Sequence, residues 1–302
     1  MKNFYGKITE SLQNNSIYKV IVISLLLIFL IIGVYFSLFS SGSPLYKEPA
    51  MEAIDGYESD TLIINDMYRG QTDIPKFDIE LNTYQTELFE VKNNQVYYPG
   101  AKIGIDVSSH QGEIDWEKVK ETGIDFVIIR TGYRGYSRGR INHDDFFKAN
   151  IKGATEAGLD VGVYFFSQAL TTAEAEEEAA QVLESIRGYD ITYPIFFDWE
   201  TVEAENARTN EAEGELITEC AAAFCKKISK AGFTAGVYFN KSQAYDFYDL
   251  EKLSAYEFWL AEYQLVPSLY YNFDMWQYTC EGGLSGINTD VDVNISFKDY
   301  SN

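Results

Sequence analysis

Three times between residues 121 and 239 the chain repeats one construction: a helix-like stretch ends at a glycine, and a β-rich apolar run follows at once. Glu121-Thr122-Gly123 leads into 124–130, Glu156-Ala157-Gly158 into 159–166, and Lys230-Ala231-Gly232 into 233–239. A glycine just past a helix accepts the left-handed backbone that ends it. The runs that follow are apolar at nearly every position, as strands buried on both faces must be. Buried strands alternating with helices predict a parallel sheet, open or closed into a barrel.

Helix starts are legible too. Thr171 and Glu174 stand at capping-box spacing before an Ala/Glu stretch predicted to reach about Ile186, and Asn210 and Glu213 repeat that signal. Beyond them Ile217, Cys220, Phe224, Ile228 and Ala231 fall at three- and four-residue spacing, one apolar helix face. After about Tyr245 the helical signal fades, and 258–261, 274–278 and 290–295 read as short strands with Gly-rich turns. About 200 residues is short for eight full strand–helix units. The expected fold is therefore α/β: an irregular TIM-like β/α barrel with fewer than eight helices.

Residues 20–39 form an almost unbroken apolar run, preceded by Lys2, Lys7 and Lys19, with no Lys or Arg after it until Lys47. At about 1.5 Å per residue such a run spans roughly the 30 Å core of a bilayer. The charge bias predicts a single-pass transmembrane helix with 1–19 cytoplasmic and the remainder outside the cell membrane. The rival reading, a cleaved signal peptide, calls for a shorter apolar region. Residues 40–99 contain Pro44, Pro49 and Pro75 without sustained periodicity and read as an extracellular spacer, with possible strands at 61–65 and 95–98. The formal charge of −22 leaves no basic patch with interleaved aromatics, which argues against nucleic acid as a partner. Cys220, Cys225 and Cys280 are odd in number. The first two diverge around a helix, so a disulfide between them is not expected and all three read as small buried apolar residues.

Four carboxylates stand in apolar runs. Asp106 ends Ile103-Gly104-Ile105-Asp106-Val107, Asp198 and Glu200 close Ile195-Phe196-Phe197-Asp198-Trp199-Glu200, and Asp292 sits in Val291-Asp292-Val293-Asn294. Burying a carboxylate in a strand is costly, so each place needs a reason. Period two sets Asp198 and Glu200 on one face, with Trp199 opposite. Two acids on one wall raise each other's cost of ionisation, which keeps one protonated for general-acid work. Singly each has a plain alternative: a solvated strand end for Asp198 and Glu200, a turn cap for Asp106, a turn or calcium loop for Asp292. Jointly, Asp106, Asp198 and Glu200 end predicted strands, and in a barrel those ends share one mouth. Asp292 joins them if the last strand closes beside the first. Convergent acids without a metal point to glycosidic bond hydrolysis.

Other chemistries lack their residues. His110 and His143 are the only histidines and form no His-Glu-x-x-His pair, so no metal site is expected. Gly-x-Ser-x-Gly is missing, and Gly132, Gly135 and Gly139 make neither a dinucleotide fingerprint nor a phosphate loop, so no cofactor is expected. Tyr164, Tyr238, Trp259, Trp276 and Gln277 fall at predicted strand ends, where rings can stack on sugars or pack into a core.

Four blocks together resemble glycoside hydrolase family 25: the 104–112 run Gly-Ile-Asp-Val-Ser-Ser-His-Gln-Gly, Asp198-Trp199-Glu200, Trp276-Gln277-Tyr278 and Val291-Asp292-Val293-Asn294. The resemblance covers nearly all of 100–302. It implies a lysozyme, an N-acetylmuramidase acting on peptidoglycan glycan strands without a metal, on an irregular barrel. It also implies Glu200 as general acid and Asp198 beside the sugar's acetamido group. Asp106 and Asp292 would line the same cleft. Tyr164, Tyr238, Trp259, Trp276 and Gln277, from their strand-end positions, are the candidate substrate contacts. Glu262, in Trp259-Leu260-Ala261-Glu262-Tyr263, departs from the pattern and is expected to add negative charge near the mouth. The reading from another class is a wall-glycan-binding or scaffold protein with the same barrel and no turnover.

Overall fold

The computed structural model describes residues 60–92 and 95–301. The expected cytoplasmic segment and transmembrane anchor, 1–39, lie outside them. Among the described residues no helix is long and apolar enough to cross a membrane.

Two hairpins come first: β1 (Thr61–Asp66) with β2 (Gly70–Pro75), and β3 (Glu90–Lys92) with β4 (Gln95–Tyr97). The barrel strands follow, as β5 (Lys102–Val107), β6 (Phe126–Arg134), β8 (Asp160–Ser167), β9 (Ile195–Trp199), β10 (Ala235–Asn240), β11 (Glu257–Ala261), β12 (Met275–Gly282) and β13 (Val291–Ser296). A short strand β7 (Ile141–His143) pairs back on β6. The helices are α1 (Trp116–Glu121), α2 (Phe147–Glu156), α3 (Thr172–Ser185), α4 (Gly214–Lys230), α5 (Lys241–Asp246) and α6 (Leu250–Leu253).

Parallel pairing runs β5, β6, β8, β9, β10, β11, β12, and β13 closes the ring antiparallel between β12 and β5. The sheet is thus an α/β barrel, as expected, except that its last strand is reversed. The reason is the connection: β12 returns through a Gly-rich turn as a hairpin, and a short turn permits only antiparallel pairing. Gly123, Gly158 and Gly232 all have positive φ and end their helices where the chain pattern predicts. Thr171 caps α3 through its hydroxyl, which accepts from Glu174 N–H. The second predicted cap does not form. Helix α4 starts at Gly214, and Asn210 turns its amide back onto the Ala204 and Glu205 carbonyls.

Period two sorts every barrel strand into two layers. Outward positions such as Val127, Val163, Phe197 and Val237 pack under the helices, and Leu260 and Ile295 belong to the same outer cluster. Helix α4 meets them with Ile217, Phe224 and Ile228. Inward positions build a separate cluster of Phe126, Ile128, Phe196, Tyr238, Trp259 and Met275, closed by Tyr193. Room for these rings comes from glycines: a Cβ on Gly104 would sit 2.3 Å from the Phe126 ring, and one on Gly236 2.4 Å from Phe196. Each fully buried aliphatic or aromatic side chain contributes roughly 1.5–3 kcal/mol, so both layers hold the barrel shut.

Residues 60–99 correct the expectation of a spacer over 40–99. They form one compact unit with the barrel, and Ile74 and Val96 are buried. Tyr84 stacks on Phe297 at 3.8 Å and donates to the Phe273 carbonyl at 2.7 Å. Asp66, buried at the β1–β2 turn, forms an ion pair with Lys241 of α5. These apolar residues show no periodicity because each docks singly on the barrel wall.

Candidate active site

The inward face of β9 carries Phe196 and then Asp198, with Glu200 one residue past the strand end. Two buried glutamines hold that end in place. Gln168 donates to the Glu200 carbonyl and Gln243 to the Trp199 carbonyl, at 2.8 and 2.7 Å. Thr209 fixes Gln168 from its other side at 2.7 Å. On the opposite wall Asp106 and Asp292 are register partners across β5 and β13. Because β13 runs antiparallel, its first residues lie at the mouth, and Asp292 reaches the other acids from there. Asp106 is not a turn cap; Ser108 caps the turn that follows.

One Asp106 oxygen receives two amides. Gln277 Nε2 and Asn294 Nδ2 each donate to Asp106 Oδ2 at 2.8 Å. Aromatic donors leave these amides no alternative orientation. Tyr238 and Tyr263 hydroxyls both donate to Gln277 Oε1 at 2.9 Å, and Trp259 Nε1–H donates to Asn294 Oδ1 at 2.8 Å. Asp198 is also buried, yet its Oδ1 has no protein hydrogen-bond partner among the described residues.

Electrostatics follow from four acids over an apolar floor. Burial raises Asp106 well above the ordinary carboxylate range, the Asp292 charge adds to this, and the two amides oppose it. Burial, Glu200 and Asp106 likewise push Asp198 well up, against the Arg130 charge. Glu200 is raised by burial and by Asp292. Burial lifts Asp292 to about 6. Desolvation and like charge both favour the protonated form, so the cluster holds protons at mildly acidic pH.

All four sequence-predicted acids therefore converge. The predicted sugar contacts divide. Tyr164 is half-buried and meets Trp259 edge-on at 6.2 Å. Tyr238, Trp259 and Gln277 are buried as the layer that supports Asp106. Trp276 does not reach the mouth: Met275 and Gln277 point inward, so Trp276 points outward, fully buried, donating to the Glu262 carbonyl. Glu262 corrects a second expectation. Its carboxylate pairs with Lys241 at 3.3 Å and accepts from Ser268 N–H at 2.7 Å, so it serves the N-terminal hairpin's anchor. Cys220 and Cys225 are buried thiols, but Cys280 is exposed.

Sequence reasoning missed Arg130, Asn294, Tyr263, Gln168 and Gln243. Period two offered a signal for two of them. Asn294 follows Asp292 by two, and Arg130 follows Phe126 and Ile128 on the inward face of β6. Arg130 donates to Asp144 at 2.8 Å and Ser109 at 3.0 Å, which fixes its charge beside the acids.

Comparison with known proteins places the chain in a family. The profile of glycosyl hydrolases family 25 matches residues 105–287. The autolytic lysozyme of Clostridium acetobutylicum is 24% identical over 196 residues, covering 63% of this chain and 54% of that protein. Lysozyme M1 of Streptomyces globisporus is 27% identical over 204 residues, covering 63% and 66%. The chain thus spans about half to two thirds of these relatives' lengths. Among solved structures, a family 25 glycosyl hydrolase from Bacillus anthracis superposes with a TM-score of 0.56 at 22% identity, over 74% of this chain and 95% of that one. The autolysin LytC of Streptococcus pneumoniae, solved with a synthetic peptidoglycan ligand, gives 0.57 at 24% identity, over 80% and 57%. These structural likenesses concern the fold. The family match takes in more than half of the 302 residues and includes Asp106, Asp198 and Glu200: the chain belongs to the glycosyl hydrolases of family 25.

Proposed function

We propose that this protein is a muramidase that cleaves the β-1,4 bond between N-acetylmuramic acid and N-acetylglucosamine in peptidoglycan. The observation that carries this reading is the pairing of a raised Glu200 with a buried Asp198 whose Oδ1 is unpartnered. Protonated Glu200 gives its proton to the glycosidic oxygen as the bond from the sugar's C1 breaks; water then supplies the hydroxyl that ends on C1, and its remaining proton restores the carboxyl group of Glu200. The free Asp198 oxygen accepts the acetamido N–H of the sugar being cut. Burial and the charge of Asp292 keep Glu200 protonated, and Asp106 lines the same cleft. The family membership and the lysozymes among the similar proteins support the same reading. The apolar run at 20–39 completes it: a single-pass anchor would hold the barrel outside the cell membrane, facing the wall.

The test is product analysis by mass spectrometry on purified peptidoglycan. Muropeptides ending in reducing N-acetylmuramic acid are expected from the unsubstituted protein. Glu200→Gln is expected to lower their rate of release by about three orders of magnitude with folding intact. Near-normal turnover in that variant would overturn the assignment. Glycan binding without cleavage by the unsubstituted protein would move the reading to a wall-binding scaffold.

A further inference from the structure

Residues 130–143 hold four arginines and no Asp or Glu, in a chain with 24 Lys and Arg against 46 Asp and Glu. They form the β6–β7 hairpin, which rises from the mouth beyond Arg130. Its arginines divide by role. Arg130 is held by Asp144 and Ser109, as described above. Arg134 is buried, pairs with Glu178 and Glu177 of α3, and donates to the Gly139 carbonyl. Backbone bonds close the turn, from Gly135 N–H to the Arg140 carbonyl at 2.8 Å and from Gly139 N–H to the Gly135 carbonyl at 2.9 Å. The tip is tied to the loop after Glu200, where Arg208 N–H donates to the Tyr136 carbonyl at 2.9 Å. Arg208 itself pairs with Glu174.

Arg138 and Arg140 remain. Both are exposed, and neither side chain has an ion pair or hydrogen bond among the described residues. Tyr133 and Tyr136, 37% and 43% exposed, flank them. A fixed turn thus presents two free guanidinium groups and two rings at the rim of the cleft. Guanidinium forks match carboxylates in geometry. A protein of net charge −22 is repelled by anionic wall material, so a local positive rim decides how such material approaches.

We propose that this hairpin docks the carboxylates of the peptide stem borne by the muramoyl sugar; the inference rests on the muramidase reading above. The stem is bonded to the sugar that the acids would hold, so it must leave the cleft across its rim. A phosphodiester polymer is the rival anion, and the test below separates the two.

The test compares the full-length chain in detergent with its Arg138→Gln, Arg140→Gln double variant. Each is co-sedimented with peptidoglycan carrying its stems and with glycan stripped of stems by an amidase, both freed of phosphodiester polymer. At low salt the unsubstituted protein is expected to prefer the stem-bearing material by about fivefold to tenfold, the scale of two exposed ion pairs. High salt and the double variant are each expected to abolish that preference, with binding to stripped glycan unchanged. A preference that survives in the double variant would overturn the proposal. So would the absence of any preference in the unsubstituted protein, or one that emerges only when phosphodiester polymer is left on the wall. Reducing ends are counted in the same samples. Stem-dependent binding without their release would refute the muramidase reading and leave the docking role standing.

Discussion

Asp106 illustrates how a single oxygen organises the site. Its Oδ2 takes two amide donors whose carbonyl ends are already occupied by aromatic donors. The amides therefore cannot flip, and a proton on Asp106 must sit on its other oxygen. Gln277→Leu removes one donor, leaves two tyrosine hydroxyls without their acceptor and lets Asp106 rise further. The expected result is a loss of turnover of about tenfold or more with little change in substrate affinity, read as kcat against KM. Asp292 gives a pH signature. Its carboxyl is raised from 3.8 to about 6 in the folded protein, so the folded state binds more protons than the unfolded chain between those values. Stability contributed by this group is full below the unfolded pKa and is lost as pH rises through the folded one. Asp292→Asn is therefore expected to stabilise the protein at pH 8 by about 1–3 kcal/mol at most while changing it little at pH 4, read as melting temperature. A variant destabilised equally at both values would contradict this.

Among the elements, helix ends and buried strands were legible because their causes are local. A glycine with positive φ, a threonine cap and a run of alternating outward and inward side chains need no distant partner. Parity along β9 is enough to set Asp198 and Glu200 on one face, and the same parity along β12 turns Trp276 outward. Strand direction was not legible for β13, because it depends on the turn before it and on where the barrel closes. Close packing inside the barrel leads to a sharp expectation. Gly236→Ala would place a Cβ 2.4 Å from the Phe196 ring and 2.7 Å from the Glu257 carbonyl. A loss of about 1–3 kcal/mol is expected in denaturant unfolding, the scale of overpacking in a filled core. Phe224→Ala on α4 leaves a cavity between helix and sheet and is expected to cost about 3–5 kcal/mol.

Across the whole molecule the N-terminal hairpins belong to the barrel's stability. Asp66, Lys241 and Glu262 form one buried charged group that joins β1–β2, α5 and the loop after β11. A fragment starting at residue 100 would leave Lys241 with one acid instead of two and expose the surface that Ile74 and Val96 cover. It is expected to be less stable than a fragment starting at residue 60 by about 3 kcal/mol or more, measured by urea unfolding. Equal stability would show that the hairpins only lie on the surface. The chain by itself determined the alternation of helix and strand, the faces of the strands and which acids are worth attention, since backbone sterics and side-chain period act over a few residues. Only the tertiary structure decided that Asp292 meets Asp106, that aromatic donors orient Gln277 and Asn294, and that 60–99 clothes the barrel. Those facts depend on contacts between distant segments, such as Tyr84 on Phe297, for which no local pattern exists.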